Sequence, residues 1–145
     1  KSYRTPAYLD WLQIAFIKSK MKYYKRWVER RREIAGRYHE ELKKLPVETP
    51  KVQEKAYHVY RDFAIRTKQR DKLKNFLEKK GIKTIVHYPT PCHLSPVFKE
   101  LGFKKGDFPE SERACDEILS IPVNPFQEDK EIYYVIEKIR EFFKR

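Results

Sequence analysis

At 145 residues the chain is long enough for one domain with its own core and too short for two ordinary ones, so residues 1–145 read as a single domain. A hydrophobic share of 40%, with 14% aromatics, excludes a disordered chain, and 4 glycines exclude a collagen-like one. The formal charge of +12 points to an anionic partner, while the lack of any long apolar run argues against a membrane span.

Over 7–45, Leu12, Phe16, Tyr23, Trp27, Ile34, Tyr38 and Leu42 recur at steps of four and seven, which predicts one long helix with room for a kink. Gly36 weakens it by about 1 kcal/mol relative to Ala, and Pro46 forbids continuation. Lys18, Lys20, Lys22, Lys25, Arg26, Arg30, Arg31 and Arg32 crowd this helix, with Tyr23, Tyr24 and Trp27 among them. Such interleaving suits nucleic acid, which is one reading. The other is a solvated face with its aromatics turned inward. Glu29 and Glu33 interrupt the run, and no standard nucleic-acid-binding signature accompanies it, so the balance lies against nucleic acid.

A polar connection over 46–55 leads to 57–67, where Tyr57, Val59, Phe63 and Ile65 alternate with His58, Tyr60, Asp62 and Ala64, the pattern of a half-buried strand. Leu73, Phe76 and Leu77 mark a helix over 68–80 that Gly81 caps. Residues 82–87, rich in β-branched side chains, form a second strand. A helical turn over 97–101 ends at Gly102. Pro109 opens a helix to about 119, and 120–123 is a third short strand. From about 127, Ile132, Val135, Ile136, Ile139, Phe142 and Phe143 give an amphipathic C-terminal helix with acids early and bases late. The class is α+β, a two-layer fold with a small antiparallel sheet of three strands covered by helices.

Between strand and helix, Pro89, Pro91 and Pro96 stiffen a loop that holds His87, Tyr88 and His93 with little backbone freedom. Imidazole and phenol combine hydrogen bonding with an aromatic face, which suits a polar, ring-containing ligand. For any one of the three, satisfying local backbone groups is an equally good account. His87, Cys92 and His93 also offer metal ligands, yet no fourth follows at a familiar spacing, so no metal is expected. A Cys-His nucleophile built from Cys92 or Cys115 needs a base within reach, which adjacency in sequence does not supply. The two cysteines form no C-x-x-C pair and the first residues lack a signal-peptide pattern, so reduced thiols and a cytoplasmic location are the expectation.

Residues 81–125 carry G-I-x-x-x-x-H-Y-P-x-P-x-H-x-x-P, then L-G-F-K-K-G-D-F-P, then L-S-I-P. With Leu9-Asp10-Trp11-Leu12-Gln13, Glu29-Arg30-Arg31-Arg32, and His58-Val59-Tyr60 followed by Ile65-Arg66-Thr67, these blocks resemble, in order and spacing, the C-terminal small domain of the DegT/StrS-type sugar aminotransferases. The resemblance implies a pyridoxal-phosphate-dependent transaminase acting on nucleotide-linked keto-sugars, in polysaccharide or amino-sugar biosynthesis, and working as a homodimer. It implies that His87, Tyr88 and His93 help bind the nucleotide-sugar. It also implies that the Schiff-base lysine and the phosphate cup lie in a large domain that nothing here resembles, so this chain alone is expected to bind no cofactor and to be inactive. Pro6 and Tyr8 replace an asparagine and an arginine of the family pattern, Trp11 an acid, Arg61 a histidine and Cys92 a leucine. With Pro6 and Tyr8 the chain lacks the asparagine that, by the resemblance, would contact the cofactor phosphate across the subunit boundary, and the arginine beside it. The second reading is a stand-alone, non-catalytic module that binds a nucleotide-sugar or an acidic partner.

Overall fold

The computed structural model describes residues 9–144, so the readings on Thr5, Pro6, Ala7 and Tyr8 lie outside the described residues. The first element is α1 (Trp11–Met21), begun by a capping box. Asp10 Oδ1 accepts from the Leu12 amide at 2.7 Å, and the Gln13 side chain accepts from the Asp10 amide at 3.2 Å. Two residues of the first motif block are thus a helix start, each satisfying a backbone donor the helix leaves open.

The single long helix is corrected to two. Regular α-helical hydrogen bonding stops at Met21, where the Tyr23 amide donates to the Lys20 carbonyl at 3.0 Å, and α2 (Tyr24–Leu42) begins anew, although Lys22 and Tyr23 keep right-handed helical dihedrals and neither is Pro or Gly. The two helices differ in burial. α1 buries none of its residues, whereas α2 buries Val28, Ile34, Ala35, Tyr38 and Leu42. Tertiary packing holds an amphipathic helix in place more than intrinsic propensity does, so the pattern that spans both helices has a core partner only in α2.

The first strand is shorter than its alternation predicts: β1 is Phe63–Arg66. Phe63 and Ile65 are fully buried, but Tyr57 is 64% exposed, and Tyr60, expected on the outer face, is buried. The cause is a left-handed backbone at Tyr60, φ 46°, which reverses the alternation. Its amide donates to His58 Nδ1 at 3.0 Å. Its hydroxyl bonds His39 Nε2 at 3.2 Å and its ring stacks at 5.9 Å on Phe63. These contacts hold a conformation that costs an aromatic residue free energy in isolation.

α3 (Arg70–Lys79) ends as expected at Gly81, whose φ of 78° lets the Ile82 amide donate back to the Leu77 carbonyl at 2.9 Å. Two short 3₁₀ turns, Cys92–Leu94 and Pro96–Leu101, follow, the second closed by left-handed Gly102. α4 (Pro109–Glu117) has its proline in the first turn and runs directly into β2 (Ile118–Ile121). α5 (Asp129–Phe143) closes the fold.

The α+β class holds, with the sheet corrected from three strands to two. β1 and β2 pair antiparallel, Phe63 opposite Ile121 and Arg66 opposite Ile118. Residues 82–87 contribute a single bridge, Ile85 to Ser120, with bonds of 3.0 and 2.9 Å. Extension is blocked on both sides. Continuing that ladder needs Lys83 opposite Pro122, which has no amide, and His87 opposite Ile118, whose amide already donates to the Ala114 carbonyl at the end of α4.

α2 and α3 both pack on α5, and the core runs from Ile34 and Tyr38 through Phe63, Leu77 and Leu119 to Ile132, Ile136 and Ile139. The Tyr38 ring lies 5.1 Å from that of Phe63, and its hydroxyl donates to the Pro122 carbonyl at 2.8 Å. Burial pushes the Tyr38 phenol far above its ordinary value, so it stays a neutral donor. Among the described residues no helix is long and apolar enough to cross a membrane.

Phe63 is fully buried at the centre of this core. Phe63→Ala should lower the unfolding free energy by about 3–5 kcal/mol in urea titrations, and a loss under about 1 kcal/mol would contradict this placement. Burial holds the His39 imidazole below its ordinary value. The unfolded chain therefore takes up this proton at a higher pH than the folded one, so stability should fall as pH drops below about 6.5 and level off only beneath the folded value. His39→Gln should flatten that part of the profile in urea titrations from about pH 7.5 to about pH 5.

Candidate functional site

A cavity of about 730 Å³ opens where four segments meet: the α1–α2 junction, the bend at Arg61 and Asp62, the edge at Lys83 and Ile85, and the turn from Ser120 to Phe126. Because residues 82–87 join the sheet through one residue only, the neighbouring groups Lys83 and Pro122 are left to line this cleft. Its charged lining is Lys20, Arg31, Arg61 and Lys83 against one carboxylate, Asp62. Arg61 stands 3.8 Å from that acid. Arg31 Nε is buried with no hydrogen-bond partner among the described residues. That nitrogen is out of contact with solvent, so what Arg31 brings to the cleft is its positive charge, which suits a phosphate or carboxylate.

One side of the cleft is aromatic. Tyr23 stacks on Trp27 with centroids 5.9 Å apart, and Trp27 meets Phe126 edge-on at 5.7 Å. Trp27 and Phe126 also line an adjoining cavity of about 440 Å³ with Arg26 and Arg30. A ring-bearing anion would find stacking surface and positive charge together here.

The structure gives the basic run three different fates. Arg30 binds Asp129 at 2.6 Å, the Gln127 carbonyl at 3.0 Å and Glu33 at 2.8 Å. Arg37 reaches the same Asp129 at 2.9 Å, and these two guanidinium groups hold the Asp129 carboxyl below the usual range. Arg32 donates to the His58 carbonyl at 2.7 Å and lies 4.1 Å above the Tyr57 ring. Only Arg31 of the three consecutive arginines lines the large cleft. Successive helical positions point about 100° apart, so a linear run of charge cannot make one basic face.

The three side chains singled out in the proline-rich loop do not converge. His87 Nε2 lies 3.5 Å from Asp62 Oδ1, which places it at the rim of the cleft. Tyr88 is 71% exposed, its ring 6.2 Å from that of His87, and it borders a separate pocket of about 290 Å³. The His93 side chain is 7% exposed and turned into the protein, bonded to Glu112 Oε1 at 3.0 Å with its ring 4.8 Å from Phe108. Glu112 also accepts from the Gly106 amide at 2.7 Å, and that bond, with the one to His93, holds its carboxyl below the usual range. His93 is thus an anchor for the loop. Sequence reasoning missed Arg31, Lys83 and Phe126 because each belongs to a different segment; the signal that existed was Arg31 within a basic run beside Trp27.

No group of three or more potential metal ligands occurs among the described residues.

Residues 7–140 match the DegT/DnrJ/EryC1/StrS aminotransferase family. A "pleiotropic regulatory protein" of Geobacillus stearothermophilus is 42% identical over 94% of this chain and 37% of its own length. A dTDP-3-amino-3,4,6-trideoxy-alpha-D-glucose transaminase of Streptomyces venezuelae is 32% identical over 97% of this chain and 38% of its own. Among solved structures, S. venezuelae DesV in complex with a ketimine intermediate superposes with a TM-score of 0.92 at 32% identity, over 99% of this chain and 40% of that one. The chain spans little more than a third of the length of the relatives it matches.

Glu112→Ala removes the acceptor shared by His93 and Gly106. It should abolish hydrogen-exchange protection of the Gly106 amide while leaving that of Leu119 and Ile136 intact; unchanged protection at Gly106 would refute the anchoring role.

Proposed function

Because the chain belongs to the DegT/DnrJ/EryC1/StrS aminotransferase family, we propose that it is the C-terminal small domain of a pyridoxal-phosphate-dependent aminotransferase acting on nucleotide-linked keto-sugars. The observation that carries this reading is the 730 Å³ cleft, lined by four cations, Lys20, Arg31, Arg61 and Lys83, and by the ring cluster of Tyr23, Trp27 and Phe126. A nucleotide-sugar presents the matching parts: a flat base to stack, phosphates to neutralise, and a sugar whose hydroxyls accept and donate hydrogen bonds.

In this reading Arg31 and Lys83 hold the phosphates, and Trp27 and Phe126 offer the stacking surface. His87, Tyr88 and their neighbours orient the sugar, with His93 acting on the ligand only by fixing the loop that carries them. Holding the keto carbon in a defined position accelerates its amination by positioning, without proton transfer by this chain. Pyridoxal phosphate supplies the amine-carrying electron sink when bound. The cleft does not suit it. Asp62, the only carboxylate in the lining, faces His87 and Arg61, so no free acid is left for a pyridine nitrogen. In this reading the cofactor is held by polypeptide outside this chain.

α1 supports the same reading. Trp11 is 86% exposed, and Leu12, Phe16 and Met21 are also in solvent, on a helix that buries nothing. An apolar helix of that kind is a surface for the cofactor-binding part and for a second copy in a homodimer.

Titration of the full-length enzyme with a nucleotide-sugar tests the cleft. Arg31→Met should weaken binding at least about tenfold, or about 1.4 kcal/mol, with a shallower salt dependence than the parent. His93→Gln should leave affinity within about threefold. Equal affinity for the parent and Arg31→Met would remove the cleft from the mechanism. Borohydride reduction of the enzyme with bound pyridoxal phosphate, followed by peptide mapping, should label no lysine of this chain stoichiometrically; one fully labelled lysine here would overturn the placement of the cofactor.

A further inference from the structure

The small pocket beside the proline-rich loop contains both cysteines of the chain. One wall is α4, presenting Ser111, Ala114 and Cys115 at helical spacing, with Ile118 at the start of β2, and the other is the loop, with Pro91 and Cys92. The bond from His93 to Glu112 sets how the loop lies on the helix. Glu112 is one turn before Cys115 and His93 directly follows Cys92, so the same contact brings Cys92 toward the turn that carries Cys115. The space the two thiols line is about 290 Å³ and mostly apolar in its lining, with Cys92 exposed and Cys115 buried.

We propose that Cys92 and Cys115 are a peroxide-sensitive thiol pair that closes to a disulfide and ties the proline-rich loop to α4. The proposal is independent of the aminotransferase reading. Burial first, then Asp116 and the nearby Cys92, push the Cys115 thiol up, which keeps it protonated until a partner is presented and leaves Cys92 to react first.

The chemistry balances with hydrogen peroxide as oxidant. The Cys92 thiolate attacks one peroxide oxygen, the O–O bond breaks, and the departing hydroxide takes a proton to become water, leaving a sulfenic acid. The Cys115 sulfur then attacks the Cys92 sulfur and expels hydroxide, which takes the proton Cys115 gives up. Two thiols and one peroxide become one disulfide and two waters. The bridge shortens the free travel of the segment that also carries Tyr88, because residues on either side of it are joined across the pocket.

Peptide mapping under non-reducing conditions decides the matter. The full-length protein is titrated with hydrogen peroxide, its remaining thiols are alkylated, and it is digested between the two cysteines. The expected product is one linked peptide containing Cys92 and Cys115 from the same chain, about 2 Da lighter than the sum of its parts and separated again by dithiothreitol. Cys115→Ser should yield no such peptide and a trappable sulfenic acid on Cys92, about 16 Da heavier. Three outcomes would overturn the proposal: Cys92 oxidised to the sulfinic acid while Cys115 remains alkylatable, a bridge between two chains, or both thiols unreactive. The decisive result is read on the parent protein, so misfolding of a variant does not blunt it.

Discussion

Ser120 is the one residue of β2 whose amide is free to receive a third segment. Two residues before it, the Ile118 amide closes the last turn of α4, and two residues after it Pro122 has no amide. Residues 82–87 therefore pair at Ile85 alone and then diverge, and what diverges is what the molecule presents to a ligand: Lys83 on one side, His87 and the proline-rich loop on the other. A full third strand would have given Lys83 and His87 ladder partners and carried the loop along the sheet. The shape of the cleft follows from two missing backbone donors.

Electrostatics is layered on that geometry. α2 delivers Arg30, Arg31 and Arg32 in succession, and the helical twist sends the first to the start of α5, the second to the cleft and the third to the bend around His58. The outer two are satisfied by carboxylate or carbonyl oxygens within the chain. Surface pairs of this kind add little stability in water, but they fix the rotation of α2 and so the aim of Arg31. The large positive charge of the chain reduces, at this site, to four cations around one acid.

The loop shows how one motif divides into separate tasks. His93 is held by Glu112 and Phe108, His87 reaches Asp62 at the cleft, and Tyr88 stands in solvent above the pocket that holds the cysteines. Prolines stiffen the segment, yet stiffness does not decide which ring turns inward. That choice rests on Glu112, an acid nineteen positions away whose place is known only once α4 packs against the loop.

Local rules alone determined the helices over Arg70–Lys79, Pro109–Glu117 and Asp129–Phe143, the caps at Gly81 and Gly102, and the α+β class, because proline, glycine and apolar periodicity act within a few residues. The family was legible as well, from blocks spread along most of the chain. Tertiary structure decided the remainder. The left-handed turn at Tyr60 depends on His39 and Phe63, the separation of α1 from α2 on which helix finds a core partner, and the two-stranded sheet on an amide already claimed by α4. The cleft joins residues more than 90 positions apart, from Lys20 to Phe126, and no periodicity encodes such a meeting. A side chain's chemistry is written at its own position, but its partner is assigned by the folded backbone.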